Sequence, residues 1–213
     1  MANEPQRKEK IAKQFKEDIL SAECLTPPFL LIEIHSHPKN FLSRQAIRLS
    51  WGNKDLDEKR NYKIIFLLGK VKNQTIQQMV QMEARRTGDI VQGDFLDIYN
   101  NLYKKMVLSL KWPLKNCRAK YILKTDEDCY VNTDMLISFL EKYDTTRGSN
   151  PLYMGRKSDN SSVERDPEDR YYVSKDIYPS PTYDPYISGG GYVFSGFLLE
   201  KLYEASRFFL FFL

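Results

Sequence analysis

Short apolar runs separated by helix-spaced apolar stripes organise most of this chain. Phe29-Leu30-Leu31-Ile32-Glu33-Ile34 has the length of a buried strand and follows Pro27-Pro28. Tyr62 to Gly69 is a second such run, Asp89 to Phe95 a brief third, and Ala119 to Leu123 a fourth. Between them, Phe41 to Gly52 reads as a helix capped by Asn40 or Ser43. Ile76, Met79, Val80 and Glu83 mark a helix ended by Gly88, and Ile98, Leu102, Met106, Val107 and Leu110 mark one stopped at Trp112-Pro113. A further helix opens at Asn132-Thr133 with Met135, Leu136, Phe139 and Leu140. Strands alternating with helices at this spacing predict a mostly parallel α/β sheet with right-handed crossovers.

Pro151 to Gly155 reads as one more short strand; then residues 156–186, rich in charge, Tyr and Pro, suggest hairpins and a loop over the sheet's edge. The run Ser188-Gly189-Gly190-Gly191-Tyr192-Val193 lets a backbone approach a ligand or turn sharply, and both readings stand. At the other end, residues 1 to about 24 are polar and lysine-rich, with Ile11, Phe15, Ile19 and Leu20 at helical spacing, as in a stem preceding the domain.

Length and composition agree with one folded domain: 213 residues, 42% hydrophobic and 13% aromatic. A formal charge of +4, from 32 basic and 28 acidic residues spread along the chain, argues against a nucleic-acid binder. Three cysteines without close pairs and two histidines argue against a zinc site. No apolar stretch approaches the ~18 residues of a membrane span, and the N-terminus has no signal-like core. Two glycosylation sequons, at Asn73 and Asn160, fall in polar segments expected to be exposed.

The densest chemistry is Lys124-Thr125-Asp126-Glu127-Asp128, three acids where the fourth strand ends. Ligands of open α/β sheets bind at that edge. Adjacent carboxylates repel, so a divalent cation or donor groups must compensate; solvated or helix-capping acids are the plainer alternative. The spacing rules out an EF-hand, since Tyr130 and Val131 stand where that loop needs a ligand and Gly. Arg44 and Arg48 share one helical stripe near the first strand's end, suited to a diphosphate or to a solvated basic face. Neither a dinucleotide fingerprint nor a P-loop follows any strand.

Taken together, Arg44-Gln45-Ala46-Ile47-Arg48-Leu49-Ser50-Trp51-Gly52, Phe66-Leu67-Leu68-Gly69, Gly88 to Phe95, Lys124 to Asp128 and Tyr186 to Val193 resemble the β-1,3-galactosyltransferase and β-1,3-N-acetylglucosaminyltransferase family, from about Pro27 to Ser206. The resemblance implies a glycosyltransferase A-type fold, a UDP-galactose or UDP-N-acetylglucosamine donor, Mn²⁺, and inversion to a β-1,3 linkage on an acceptor glycan of a glycoprotein or glycolipid. It also implies a type II membrane protein of the Golgi, its catalytic domain in the lumen. Asp126 and Asp128 take the D-x-D role as metal ligands. Arg44, Arg48, Lys124, Asp126 and Glu127 become candidates for the donor, and Tyr186, Gly189, Gly190 and Tyr192 for the acceptor side. Two departures stand out: Ile187 where Cys often precedes Ser-Gly, and no acidic segment after the Gly-Tyr-Val strand and next helix to supply the general base. The catalytic base is therefore unassigned. The reading is a stem (1–26) followed by a catalytic domain (27–213) incomplete at its C-terminus, ending in the apolar Arg207 to Leu213. A non-catalytic member that binds UDP-sugar and Mn²⁺, or a lectin-like partner-binding domain, is the alternative.

Overall fold

The computed structural model describes residues 20, 22–53, 61–148 and 150–209. The expected N-terminal stem helix lies outside them except at Leu20, which pairs with Gln92 in an antiparallel bridge.

Six strands form one sheet in the order β3-β2-β1-β4-β6-β5. They are β1 (Leu30–His35), β2 (Tyr62–Lys70), β3 (Ile90–Leu96), β4 (Tyr121–Asp126), β5 (Tyr153–Ser158) and β6 (Tyr186–Ser195). The first four run parallel, whereas β6 is antiparallel to both β4 and β5. This is the mostly parallel α/β sheet flanked by helices that the apolar runs predict. The glycine run is therefore strand, lying between β4 and β5.

Among the described residues, five helices cover the two faces: α1 (Phe41–Leu49), α2 (Gln74–Thr87), α3 (Leu102–Asn116), α4 (Thr133–Arg147) and α5 (Leu199–Phe209). On β1, Leu30, Ile32 and Ile34 pack with Ile47 of α1, Val80 of α2, and Ile137 and Leu140 of α4. Leu31 faces the opposite way, towards Leu108 and Trp112 of α3 and Leu199 of α5. Each such fully buried aliphatic side chain contributes roughly 1.5–3 kcal/mol. Gly88 ends α2 in the left-handed conformation (φ 66°), which costs glycine nothing.

Two helix expectations change. Helix α3 does not stop at Trp112-Pro113 but continues to Asn116. Proline so near a helix end forfeits a single backbone bond, and buried Trp112 together with the Cys24–Cys117 disulfide holds that last turn in place. In α4, Met135 and Phe139 are exposed, whereas Leu140 is buried as expected and Ile137 joins it on the buried stripe. The 159–185 segment forms turns around one isolated bridge, Ser162 to Thr182, in place of hairpins.

Candidate functional site

Strand β4 rises through buried Ile122, Lys124 and Thr125 and delivers Asp126 at its end, level with His35 of β1. Beyond that edge opens a crevice of about 850 Å³. Its walls come from the β1–α1 loop (His35, Ser36, His37, Asn40), the start of α3 (Leu102, Tyr103, Lys105, Met106), the acids Asp126, Glu127 and Asp128, and Gly189 of β6. The crevice lies outside the carboxyl ends of β1 and β4, where the strand order reverses, with β2 and β3 on one side of β1 and β4 on the other, the usual place for a ligand in an open α/β sheet.

The three acids have separate duties. Asp126 Oδ1 accepts from Lys124 Nζ at 2.5 Å, and the same ammonium donates to the Gly189 carbonyl at 2.5 Å. Lys124 thus ties the first acid to the glycine run. Glu127 turns towards the β1–α1 loop: its carboxylate accepts from Ser36 Oγ (2.5 Å), Asn40 Nδ2 (2.5 Å) and the His37 amide (3.2 Å). Placed among the donor-binding candidates, Glu127 is instead occupied by the loop it anchors, because three donors compensate its charge. Asn40, at the N-cap position of α1, spends its amide on this contact and makes no side-chain cap. Asp128 stays exposed in the crevice, its carboxylate accepting from the Cys129 thiol at 3.7 Å.

Arg44 and Arg48 share a stripe as expected, but neither faces the crevice. Arg44 is fully buried; Nε and Nη2 donate to Glu83, with Nη2 at 2.6 Å, and Nη1 donates to Ser36 Oγ (3.0 Å) and the His37 carbonyl (2.8 Å). Arg48 grips Asp89 bidentately at 2.6 and 2.9 Å and reaches Glu83 at 2.7 Å. The donor-binding assignment of both arginines is therefore corrected: acidic partners on and just after α2 consume their guanidiniums. Arg44 still shapes the site, because it holds the serine that holds Glu127.

Tyr192 is likewise not an acceptor-side surface. It is 6% exposed, and its hydroxyl points at Met106 Sδ, 3.2 Å away. Burial, Tyr153, Glu33 and Asp126 all disfavour its phenolate and push its pKa up. Tyr186 is exposed, at the far end of β6, with its ring against Tyr183. Gly189 and Gly190 have open space where a side chain would be, and their carbonyls serve Lys124 and Cys129.

Residue patterns gave no role to Lys105, which is buried and donates to the Ser36 carbonyl (2.8 Å) and Asp97 (2.9 Å) beneath the crevice. Its signal was a cation beside the apolar stripe of α3. Two neighbours on β1 are unusual. Glu33 Oε1 and His35 Nε2 are buried without a hydrogen-bond partner. Burial raises the Glu33 pKa, while burial and the nearby Lys124 and Lys105 lower that of His35. A carboxyl raised on folding binds an extra proton in the folded state, so its effect is to erode stability as pH climbs from about 4.5. Glu33→Met should therefore be more stable than the parent, by a margin in thermal midpoint that widens as pH rises from about 4.5. A margin independent of pH would mean that Glu33 ionises freely in the fold.

As to metals, no group of three or more His, Cys, Asp or Glu side chains able to hold one occurs among the described residues. What the crevice does offer is a pair of carboxylates, Asp126 and Asp128, one pre-positioned by Lys124. Such an all-oxygen, two-ligand set suits a hard divalent cation that completes its shell with water and substrate phosphates.

Comparison with known proteins bears on this geometry. A family model described as galactosyltransferase matches residues 42–212. Human beta-1,3-galactosyltransferase 5 is 38% identical over 184 residues, 85% of this chain and 58% of its own length. Mouse beta-1,3-galactosyltransferase 1 is 37% identical over 180 residues, 84% of this chain and 55% of its own. The chain thus spans a little over half the length of these relatives. Among solved structures, the mannosyltransferase PcManGT from Pyrobaculum calidifontis, in complex with GDP-Man and Mn²⁺, aligns with 93% of this chain and 53% of its own at 13% identity and a TM-score of 0.41.

Proposed function

Because the chain belongs to the galactosyltransferase family, we propose that it transfers galactose or N-acetylglucosamine from a UDP-sugar to a hydroxyl of an acceptor glycan in β-1,3 linkage. The observation that carries this reading is the pair Asp126 and Asp128 opening onto a crevice at the carboxyl edge of a parallel sheet.

Asp126 and Asp128 are the residues that would hold Mn²⁺, which when bound neutralises charge developing on the departing diphosphate. The chain's own residues prepare that event. Lys124 fixes Asp126 against β6, and Glu127, Ser36 and Asn40 lock the β1–α1 loop that forms one wall. Lys105 and Lys124, both buried, contribute positive potential to a crevice that also carries the carboxylates Asp97, Asp126, Glu127 and Asp128. The acceptor hydroxyl must lose its proton on the face opposite the leaving group, a task for a general base.

A lumenal Golgi location is part of the proposal. The Cys24–Cys117 disulfide supports an oxidising compartment, and the exposed Asn73 and Asn160 support N-glycosylation. Asn73 caps α2 through its side-chain oxygen, which leaves its nitrogen available for a sugar. Membrane anchoring is proposed from the family; no helix among the described residues is long and apolar enough to cross a membrane.

Titration calorimetry with UDP, with and without Mn²⁺, tests the reading. Binding that chelator abolishes is the expected result, and no binding in either condition overturns it. Binding without transfer to any glycoside selects a donor-binding member lacking turnover. Asp128→Ala should weaken Mn²⁺-dependent UDP binding on the order of 100-fold, ~2.7 kcal/mol, without moving the melting midpoint, since the carboxylate is exposed. Undiminished affinity would remove Asp128 from the metal site.

A further inference from the structure

One lip of the crevice is aromatic. Tyr99, in the short 3₁₀ turn ahead of α3, lines the crevice and is 55% exposed. Tyr171 arrives from the β5–β6 connection and meets it edge to face, ring centroids 6.3 Å apart at 68°. Arg170 lies over the Tyr171 ring, 4.5 Å from its centroid, and its guanidinium donates to the Tyr171 hydroxyl. Isolated exposed aromatics are ordinary surface. Here two rings from distant parts of the chain rest on each other at the mouth of a cavity, backed by a cation.

The connection presenting Tyr171 is built to hold its shape. Arg165 donates to the carbonyls of Val173 (2.5 Å), Tyr178 (2.7 Å) and Ser180 (2.6 Å), gathering three points of the loop. Val163 is buried beneath it, and the backbone bonds Val163 to Pro181 and Val173 to Glu164 close its base. A ring so positioned surrenders little conformational freedom when a ligand stacks on it.

We infer that Tyr99 and Tyr171 form a platform for a pyranose ring of the acceptor glycan. The apolar C–H face of the sugar lies on the aromatic surface, and its hydroxyls reach the phenol oxygens and nearby polar groups. Acceptor, and not donor, follows from placement: the metal-binding pair Asp126 and Asp128 fixes the diphosphate, whereas Tyr171 belongs to the connection leading into β6, the strand that brings Gly189 to the crevice. The inference rests on the transferase reading above.

Saturation-transfer NMR with methyl β-galactoside and methyl N-acetyl-β-glucosaminide, in the presence of UDP and Mn²⁺, tests it alongside calorimetry with UDP and UDP-galactose. Tyr99→Ala and Tyr171→Ala should each weaken binding of one glycoside by about fivefold, while Tyr99→Phe stays within about twofold of the parent and the affinities for UDP and UDP-galactose do not change. Both rings are exposed, so all three variants should keep the parent's melting midpoint. Glycoside binding indifferent to both alanine variants, or absent from the parent, overturns the platform. A selective loss of UDP-galactose relative to UDP also overturns it, by placing the donor sugar there. Failure of the parent to bind UDP sinks the transferase reading instead, and the glycoside titrations repeated without nucleotide then read the platform separately.

Discussion

Arg44→Met is expected to lower unfolding stability by about 3–5 kcal/mol, the cost of leaving a buried carboxylate with a broken partner set. The guanidinium is fully buried and spreads its donors over Glu83, Ser36 and the carbonyls of His37 and Pro38. Without it, Glu83 keeps only Arg48, and the loop bearing Ser36 loses its tie to α2. Urea unfolding monitored by fluorescence checks this through a fall in the midpoint at constant slope. The double variant Arg44→Met/Glu83→Met should recover most of the loss, because it removes the buried charge along with its partner. Arg48→Met should cost less, since its side chain is 20% exposed and its partner Asp89 18%. A cost for Arg44→Met below about 1 kcal/mol would mean that water reaches Glu83 and the network is not closed.

Cys24→Ser should destabilise by about 2–4 kcal/mol, because the disulfide to Cys117 closes a span of 93 residues and restricts the unfolded chain accordingly. Its Cα atoms are 5.4 Å apart, within the ordinary range for a bridged pair. For a chain of this size the midpoint should fall by roughly 5–15 °C. Thermal unfolding of the parent in strong reductant should then match that of Cys24→Ser without reductant. Two unequal curves would mean that the serine acts locally, not through loss of the cross-link.

Much of this organisation was legible from residues alone, for identifiable reasons. Buried parallel strands need apolar side chains on both faces, so Leu30 to Ile34 and Tyr62 to Leu68 announce themselves. The acids followed because a strand ending in charge must end at the surface. What the pattern hid was partnership. Arg44 and Arg48 looked like free cations because their acids lie 35–41 residues later in the chain, and helical spacing carries no information about contacts across elements. The overlooked signal was Glu83 itself, a carboxylate in the apolar register of Ile76 and Val80: an acid on a buried stripe requires a buried cation. Lys105 repeats the case on α3, pairing with Asp97. Tyr192 was misjudged because a tyrosine after three glycines looks accessible, whereas the antiparallel pairing of β6 with β4 turns it onto the α3 face beside Met106. Met135 and Phe139 of α4 depart the other way, as apolar residues of the helical pattern that stay exposed.

The position of β6 also sets an order of events. Strand β5 pairs only with β6, and β6 fills the place between it and β4. During synthesis, then, β5 emerges with no strand to join, and the hydrogen-bonding edge of β4 stays open until about residue 195 has left the ribosome. An open edge of that kind is a template for pairing with other chains, and its late closure by a distant strand slows maturation. The nascent protein should accordingly depend on chaperone protection most strongly in the interval between the appearance of the acids and the arrival of the glycine strand.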